Sequence, residues 1–202
     1  NACKCAQLDL SQCMVGQIVL GATGQAISRL ISHYTGRPVL GADPKEAARE
    51  LFRRRGGIPS TQEEILRQAD IVVATTGIPN LIRPEQVRPG QIILALSNPQ
   101  PEIRPALALE RGAAFAADGG SVNNVLGFPG ILKGALDAKA RKLNLSMYLA
   151  AAQALAELAP QGELVPNPLD PRVHRAVAQA VARSAMETGV ARVHLDEDYF
   201  LP

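Results

Sequence analysis

Two glycines near the start of the chain have the spacing of a phosphate-binding turn. The apolar run Gln17–Leu20 ends at Gly21, and Gly24 follows as a helical pattern begins. In a dinucleotide-binding unit, a glycine at the first of these positions lets the backbone approach a pyrophosphate, and one at the second lets the helix pack closely on its strand. Val19 replaces the earlier glycine of the full pattern, which predicts a different strand end and an intact site. The cofactor-binding residues predicted here are Gly21, Ala22, Thr23 and Gly24.

Asp43 follows this turn at a distance of about 20 residues, at the end of a second predicted strand, 38–43. An acid at this point can accept hydrogen bonds from an adenosine ribose, and its charge should repel a 2′-phosphate. These properties favour NAD, although Lys45 close by keeps NADP possible. Asp43 and Pro44 also predict an N-cap for a helix over 45–55, and the two roles are compatible.

Thr75, Thr76 and Gly77 follow a buried run, Ile71–Ala74, that predicts another strand. In open parallel sheets, ligands bind in the crevice at the carboxyl ends of the strands, where small residues leave room for them. We therefore predict that all three residues bind the cofactor. An ordinary tight turn is the alternative for the same residues.

Apolar runs alternate with amphipathic stretches along the first part of the chain. The predicted strands are 17–20, 38–43, 71–74, 91–96 and 112–117. The run at 71–74 lacks polar alternation, as in strands buried on both faces, and helical stretches separate the strands. The pattern predicts an α/β fold with a doubly wound, mostly parallel sheet. From about residue 131 the chain becomes helical and rich in alanine, which predicts a helical C-terminal extension.

Three local predictions concern the helices. The first helix is expected to bury one apolar face, Ser60 to Glu63 predicts a capping box, and a later helix is expected over 102–111. The apolar face of the first helix consists of Ala26, Ile27, Leu30, Ile31 and Tyr34.

The composition of the chain argues against several classes of protein. The chain has 202 residues, 47% of them hydrophobic, and a net charge of +2 with no Trp. Without a basic stripe or an aromatic platform, nucleic acid is not expected as a partner, and no apolar run is long enough to predict a membrane span. Cys3, Cys5 and Cys13 fit neither a disulfide framework nor a zinc site, which predicts free thiols in a cytoplasmic protein.

The chain begins at Asn1 rather than at Met. We expect it to be a piece of a longer protein, with residues 1–16 a remnant of a linker or preceding domain and 17–202 the NAD(P)-binding domain.

Two longer blocks resemble the nicotinamide-binding half of malic enzymes. They are Leu94–Ile103, which contains Ser97-Asn98-Pro99, and Val122–Asp137, which contains Asn123-Asn124. The similarity runs from about Ile18 to Arg192, and such long ordered strings are far more specific than a glycine turn. The resemblance implies a Rossmann-like fold. It also implies an enzyme that oxidises malate by hydride transfer to NAD or NADP and releases pyruvate and CO2, using Mg or Mn.

The resemblance also implies roles for individual residues. Asn98, Asn123 and Asn124 resemble the asparagines of the floor where nicotinamide and malate meet, so we expect all three to bind substrate and Asn98 and Asn123 to bind the cofactor as well. Their amides can donate and accept without adding a charge. Thr76 and Gly77 resemble the loop that passes the cofactor ribose. For Asn123 and Asn124, the alternative is a turn formed by two good turn residues.

In malic enzymes the catalytic tyrosine and lysine, and the metal-binding carboxylates, come from a preceding domain. Nothing in residues 1–16 resembles them. We therefore expect no catalytic residue and no metal site within this chain, and no malate turnover by the chain alone. The metal and a homo-oligomer are expected of the full-length enzyme only. The alternatives are a non-catalytic NAD-binding or regulatory module and, last, another dinucleotide-dependent dehydrogenase such as an amino-acid dehydrogenase.

Overall fold

The structure, a computed structural model, describes residues 1–122 and 124–201. These residues form two compact units. The first spans residues 2–122, and the second contains the described residues from 124 onward together with Asn1. Within the described residues, no helix has both the length and the apolar character needed to cross a membrane.

The first unit is an α/β unit built on one sheet. Its α-helices and strands in chain order are α1 (Ala2–Cys5), β1 (Val15–Ile18), α2 (Ala22–Thr35), β2 (Leu40–Ala42), α3 (Glu46–Arg54), β3 (Ile58–Pro59), α4 (Gln62–Gln68), β4 (Ile71–Ala74), β5 (Ile92–Ala95), α5 (Pro105–Glu110) and β6 (Phe115–Asp118), with a 3-10 helix, Pro84–Gln86, between β4 and β5. The six strands are ordered β3-β2-β1-β4-β5-β6, and every neighbouring pair is parallel. The predicted doubly wound parallel sheet is therefore confirmed.

The strand order reverses its direction of growth between β1 and β4. The chain builds outward from β1 to β3 on one side, then returns to the centre and builds from β4 to β6 on the other. This reversal opens a crevice at the carboxyl ends of the two central strands, where dinucleotides bind in sheets of this order. All four residues of β1 and all four of β4 are buried, as expected of central strands in a parallel sheet.

The buried face of α2 differs from the predicted one. Its buried residues are Gly24, Gln25 and Ser28, whereas Ala26 is exposed and Tyr34 is 52% exposed. The prediction of an apolar buried face was wrong because it assumed that hydrophobicity decides which side faces the sheet. At this site the close approach of the helix to the turn after β1 requires Gly24, and the buried Gln25 donates a hydrogen bond to the carbonyl oxygen of Ala48.

Three helix beginnings also differ from prediction by a few residues. The capping box of α4 is formed by Thr61 and Glu64, one position later than predicted, because Thr61 adopts the extended cap conformation. Lys45, not Asp43, is the N-cap residue of α3. Pro105 is the first residue of α5, which leaves Glu102 outside the helix, since proline suits a first turn better than a helix interior.

Strand β3 was not predicted from the sequence. It pairs with β2 over two residues only, at the edge of the sheet, and one of the two is Pro59. A proline cannot donate a ladder hydrogen bond, so a run containing it does not resemble a strand, although an edge position accommodates it.

In the described part of the second unit, the helices are α6 (Phe128–Asp137), α7 (Leu145–Leu158) and α8 (Pro171–Glu187). Helix α8 packs against both α6 and α7. Asp170 caps α8, with its side chain accepting a hydrogen bond from the backbone N–H of Arg172. The buried core of this unit is apolar and consists of Ala138, Met147, Ala151, Ala154, Val177, Val181, Ala182, Ala185 and Val190.

Candidate functional site

The predicted site residues of the first unit lie along one edge of the sheet. Gly21 follows β1, Asp43 follows β2, Thr75 follows β4 and Asn98 follows β5. Since all of these strands are parallel, their carboxyl ends face the same edge. The fold thus brings residues from four separate stretches of sequence to the edge where ligands bind in such sheets.

Val19 makes the turn that a glycine makes in the full pattern. Its φ angle is +71°, in the left-handed region where a β-branched residue is strained. The backbone on both sides is held in place, since the N–H of Val19 donates to Ala42 O at 2.8 Å and Nε2 of Gln17 donates to Val19 O at 3.2 Å. The chain therefore keeps the turn without the glycine, at a cost in backbone strain.

Gly21 and Gly24 have the two distinct environments that the sequence predicts. Gly24 is buried, and a Cβ placed on it would overlap the carbonyl oxygen of Val19, so only glycine permits this closeness of helix and turn. Gly21 is exposed at the start of α2, and a Cβ there would have no described heavy atom within 4 Å. Ala22 and Thr23 are exposed beside it. The first turn of this 14-residue helix therefore presents unpaired N–H groups to open space, as an anion requires.

Asp43 lies beside this turn with both carboxylate oxygens engaged by backbone. Oδ2 accepts from the N–H of Leu20 at 2.8 Å, and Oδ1 accepts from the N–H of Lys45 at 2.8 Å. Each carboxylate oxygen has two acceptor positions, so one on each oxygen stays available to ribose hydroxyls. The side chain is only partly buried. Asp43 thus fixes the position of the turn relative to β2 and keeps the capacity assigned to it from the sequence.

The loop after β4 directs its polar groups into the protein. Oγ1 of Thr75 accepts from Nε2 of Gln17 at 2.9 Å. The N–H and the hydroxyl of Thr76 both donate to Glu102, at 2.6 and 2.8 Å, and the N–H of Gly77 donates to Ser97 Oγ at 2.8 Å. These donors are therefore already used within the protein, and the predicted contacts of this loop with a cofactor have to be made by its other atoms.

Glu102 is the residue of this edge that the sequence did not reveal. It has no solvent-exposed surface, yet it is ionisable. Burial alone would raise the pKa of Glu102, but hydrogen bonds from Ser97 and Thr76 outweigh it and hold the pKa below its usual value. The side chain is therefore a carboxylate at neutral pH. This acid was predicted to lie in the following helix. Its hydrogen-bond donors, Thr76 and Ser97, lie in two other loops, so no local pattern in the sequence marks Glu102 as buried.

Asn98 is exposed after β5, and its Nδ2 donates to Gly119 O, after β6, at 3.3 Å. A Cβ on Gly119 would lie 2.6 Å from the carbonyl oxygen of Leu96, so a glycine is needed where these loops meet. Of the paired asparagines, Asn123 lies outside the described residues. Asn124 begins a 3-10 turn, Asn124–Leu126, in the second unit.

Metal-binding clusters and cysteine thiols are the remaining groups that could do chemistry. Among residues 1–122 and 124–201, no three His, Cys, Asp or Glu side chains lie close enough to hold a metal ion. Cys3, Cys5 and Cys13 are free. Burial raises the pKa of the Cys13 thiol to about 11, so this thiol is protonated at neutral pH.

Comparison with known proteins gives one consistent family. Residues 105–190 match the family model described as malic enzyme, NAD binding domain. The NAD-dependent malic enzyme 1 of Bacillus subtilis is 54% identical over 187 residues, which cover 92% of this chain and 43% of that protein. The NADP-dependent malic enzyme of Rhizobium meliloti is 43% identical over 143 residues, covering 58% of this chain and 18% of that protein.

A solved structure extends the same likeness to the fold. The crystal structure of malic enzyme from Pyrococcus horikoshii superposes with a TM-score of 0.86 and 31% sequence identity, covering 98% of this chain and 53% of that one. The chain therefore spans about half, or less, of the length of these relatives. It belongs to the malic enzyme family, of which it contains the NAD(P)-binding domain.

Proposed function

We propose that this chain binds NAD as the cofactor domain of an enzyme that oxidises malate by hydride transfer and decarboxylates the product to pyruvate and CO2. The observation that carries the proposal is the open first turn of α2 at Gly21, with the Asp43 carboxylate hydrogen-bonded beside it. A pyrophosphate at a helix N-terminus and ribose hydroxyls at an acid after the second strand are the contacts by which such sheets hold a dinucleotide.

NAD is proposed over NADP because of the charge on Asp43. Its carboxylate would repel a 2′-phosphate, while Lys45 beside it keeps weaker NADP binding possible. The relatives include enzymes named as NAD-dependent and as NADP-dependent, so the choice is assigned to this residue and not to the family.

The substrate side of the site is proposed for three asparagines, Asn98, Asn123 and Asn124. The exposed amide of Asn98, with Nδ2 held by Gly119, keeps Oδ1 as an acceptor for a bound group. The tyrosine and lysine that move protons, and the carboxylates that hold Mg or Mn, are assigned to the other half of the parent enzyme. No step is assigned to a metal here, because the described residues contain no group of ligands that fits one. A cytoplasmic location and a homo-oligomeric parent enzyme complete the proposal.

Calorimetric titration of the 202-residue chain with NAD and NADP tests the cofactor assignment. We expect tighter binding of NAD, and a smaller ratio between the two affinities in Asp43→Asn and Asp43→Ala. The ratio of the NAD and NADP affinities is the readout, because removing the carboxylate also leaves the N–H of Leu20 without its acceptor and so lowers the affinity for both ligands. Equal affinities in the unaltered chain would refute the role of Asp43, and malate-dependent NAD reduction by this chain alone would refute the assignment of catalysis to the other half.

A further inference from the structure

Glu102 joins two neighbouring loops of the ligand-binding edge. Its Oε1 accepts from the backbone N–H of Thr76 at 2.6 Å, from the Thr76 hydroxyl at 2.8 Å and from the Ser97 hydroxyl at 2.5 Å. The N–H of Ser97 donates to Oε2 at 3.3 Å. Thr76 follows β4 and Ser97 follows β5, so one side chain sets the position of both loops.

Burying a carboxylate between two loops is energetically unfavourable unless hydrogen bonds compensate its charge. Removing an ionised carboxyl group from water costs several kcal/mol, and an apolar side chain of similar size commonly gives equal or greater stability. None of the ion pairs found in the described part of the chain involves Glu102. Its charge is stabilised by hydrogen bonds from the two loops themselves. The buried carboxylate is therefore stable only when both loops adopt the arrangement that supplies these hydrogen bonds.

The two loops lie on one side of the point where the strand order reverses. Gly21 and Asp43 follow β1 and β2, whereas Thr76 and Ser97 follow β4 and β5, on the opposite side. A dinucleotide with its pyrophosphate at the first turn of α2 and its adenosine ribose at Asp43 extends its other half across the reversal, over β4 and β5. The loops that Glu102 joins therefore face the nicotinamide half.

We propose that Glu102 is a positioning residue for the nicotinamide half of the site. It acts through the loops after β4 and β5 and does not touch the ligand itself. The inference rests on the proposed function and adds to it that two parts of the site bind different halves of the dinucleotide. The turn after β1 and Asp43 bind adenosine diphosphate, and the loops held by Glu102 supply the additional affinity for the nicotinamide riboside.

The test compares NAD with ADP, which contains the adenosine and pyrophosphate but lacks the nicotinamide riboside. Kd values for both are measured by calorimetry on the unaltered chain and on Glu102→Gln, which keeps the size of the side chain and removes its charge. We expect NAD to bind about tenfold more weakly to the variant, the loss typical of a hydrogen bond to a charged group, with the Kd of ADP unchanged.

Glu64→Gln is the matched control. Glu64 also accepts a backbone N–H and a hydroxyl hydrogen bond, from Thr61 and Ser60 at 2.9 Å each, but it does so in the capping box of α4. We expect the control to leave both Kd values unchanged. If Glu102→Gln does not fold, Ser97→Ala is the second variant, because it removes one of the hydroxyl donors to Glu102. It should weaken NAD binding by less than the roughly tenfold expected of Glu102→Gln and leave the Kd of ADP unchanged.

The possible outcomes separate this inference from the proposed function. If the unaltered chain binds neither NAD nor ADP, the proposed function fails and the inference fails with it. If it binds both and the Glu102 or Ser97 variant binds NAD as tightly as before, only the inference is overturned. A parallel loss of NAD and ADP affinity would also overturn it, because it would show a general effect on the fold.

Discussion

Nε2 of Gln17, in the middle of β1, lies 2.9 Å from Oγ1 of Thr75, directly after β4. This hydrogen bond crosses the reversal of strand order, where the dinucleotide site is proposed. Gln17 is 1% exposed, and the carbonyl oxygens of Ile18 and Val19 lie 3.0 and 3.2 Å from the same nitrogen, so its two hydrogens are shared among three acceptors. One buried amide thus links the strained turn after β1 to the loop after β4.

Thr75→Val should break this link with little change in shape. We expect a loss of about 1 kcal/mol in the free energy of unfolding, the usual contribution of one hydrogen bond, because Gln17 keeps its two backbone acceptors. Urea unfolding followed by circular dichroism measures it. Thr75→Ser retains the hydroxyl and is the control, which should lose less stability; a loss in Thr75→Val no greater than that in Thr75→Ser would contradict the contribution assigned to the hydrogen bond.

The positive φ at Val19 predicts an unusual order of stability between two variants. At a left-handed position glycine is favoured over alanine, so we expect Val19→Gly to be more stable than Val19→Ala by about 1 kcal/mol. At Val15, in the regular part of β1, the same pair should show the opposite order. Denaturant midpoints for the four variants test this, and an alanine variant that is the more stable at both positions would contradict the strain at Val19.

The two glycines of the turn should separate stability from binding. Gly24→Ala places a methyl group against the carbonyl oxygen of Val19 and should lower the free energy of unfolding by about 2 kcal/mol, as in other overpacked sites. Gly21→Ala meets no neighbouring atom and has a φ of −66°, so its stability should be unchanged or slightly raised.

NAD affinity should respond to Gly21→Ala despite the unchanged stability. A methyl group at the exposed first turn of α2 would lie where the pyrophosphate must approach the backbone, and we expect binding to weaken by about tenfold, equivalent to roughly 1.4 kcal/mol. Thermal unfolding and calorimetry on the same preparation provide both quantities. Unchanged NAD affinity in Gly21→Ala would place the pyrophosphate elsewhere.

The second unit contains a hydrogen bond whose contribution depends on pH. The hydroxyl of Tyr199 donates to Oδ2 of Asp137 at 2.6 Å, and Lys133 donates to the same oxygen at 2.8 Å. Burial alone would raise the pKa of Asp137, but these hydrogen bonds outweigh it and hold the pKa below its usual value. The contribution to stability is therefore present at neutral pH and is lost as the pH falls through the lowered pKa.

Tyr199→Phe removes this hydrogen bond and keeps the ring, which packs edge-on against Phe200 with 5.1 Å between centroids. We expect a loss of about 1 kcal/mol at pH 7, shrinking as the pH falls below about 4, where the unfolded chain binds the proton first. Unfolding midpoints at pH 7 and pH 3 measure the difference. A loss that is equal at both pH values would mean that the ionised form of Asp137 accepts no stronger a hydrogen bond from Tyr199 than the protonated form does.

Local sequence patterns predicted many of the secondary-structure elements. The buried run Ile71–Ala74 is strand β4 at the predicted bounds. The capping box moved by one residue, since Ser60 and Thr61 are both good caps followed by a glutamate three positions later, and the path of the backbone decides between them. The two-residue strand β3 had too little pattern to be recognised.

The site was predictable where its residue types are demanded by local geometry. Gly21, Gly24 and Asp43 lie in a turn and a strand end whose chemistry is set within a few residues, and the asparagine blocks are long enough to indicate the family. Their individual contacts with ligands stay predictions, as does the role of Asn123, which lies outside the described residues.

The sequence by itself determined the alternation of buried strands and helices, and hence a parallel sheet with a glycine turn after its first strand. Periodicity and turn chemistry are short-range properties, so one stretch of chain is enough to show them. The tertiary structure alone decided the positive φ of Val19, the buried face of α2 at Gly24, Gln25 and Ser28, and the burial of Glu102 between two loops. Each of these depends on groups that are brought together only when strands distant in sequence become neighbours in the sheet.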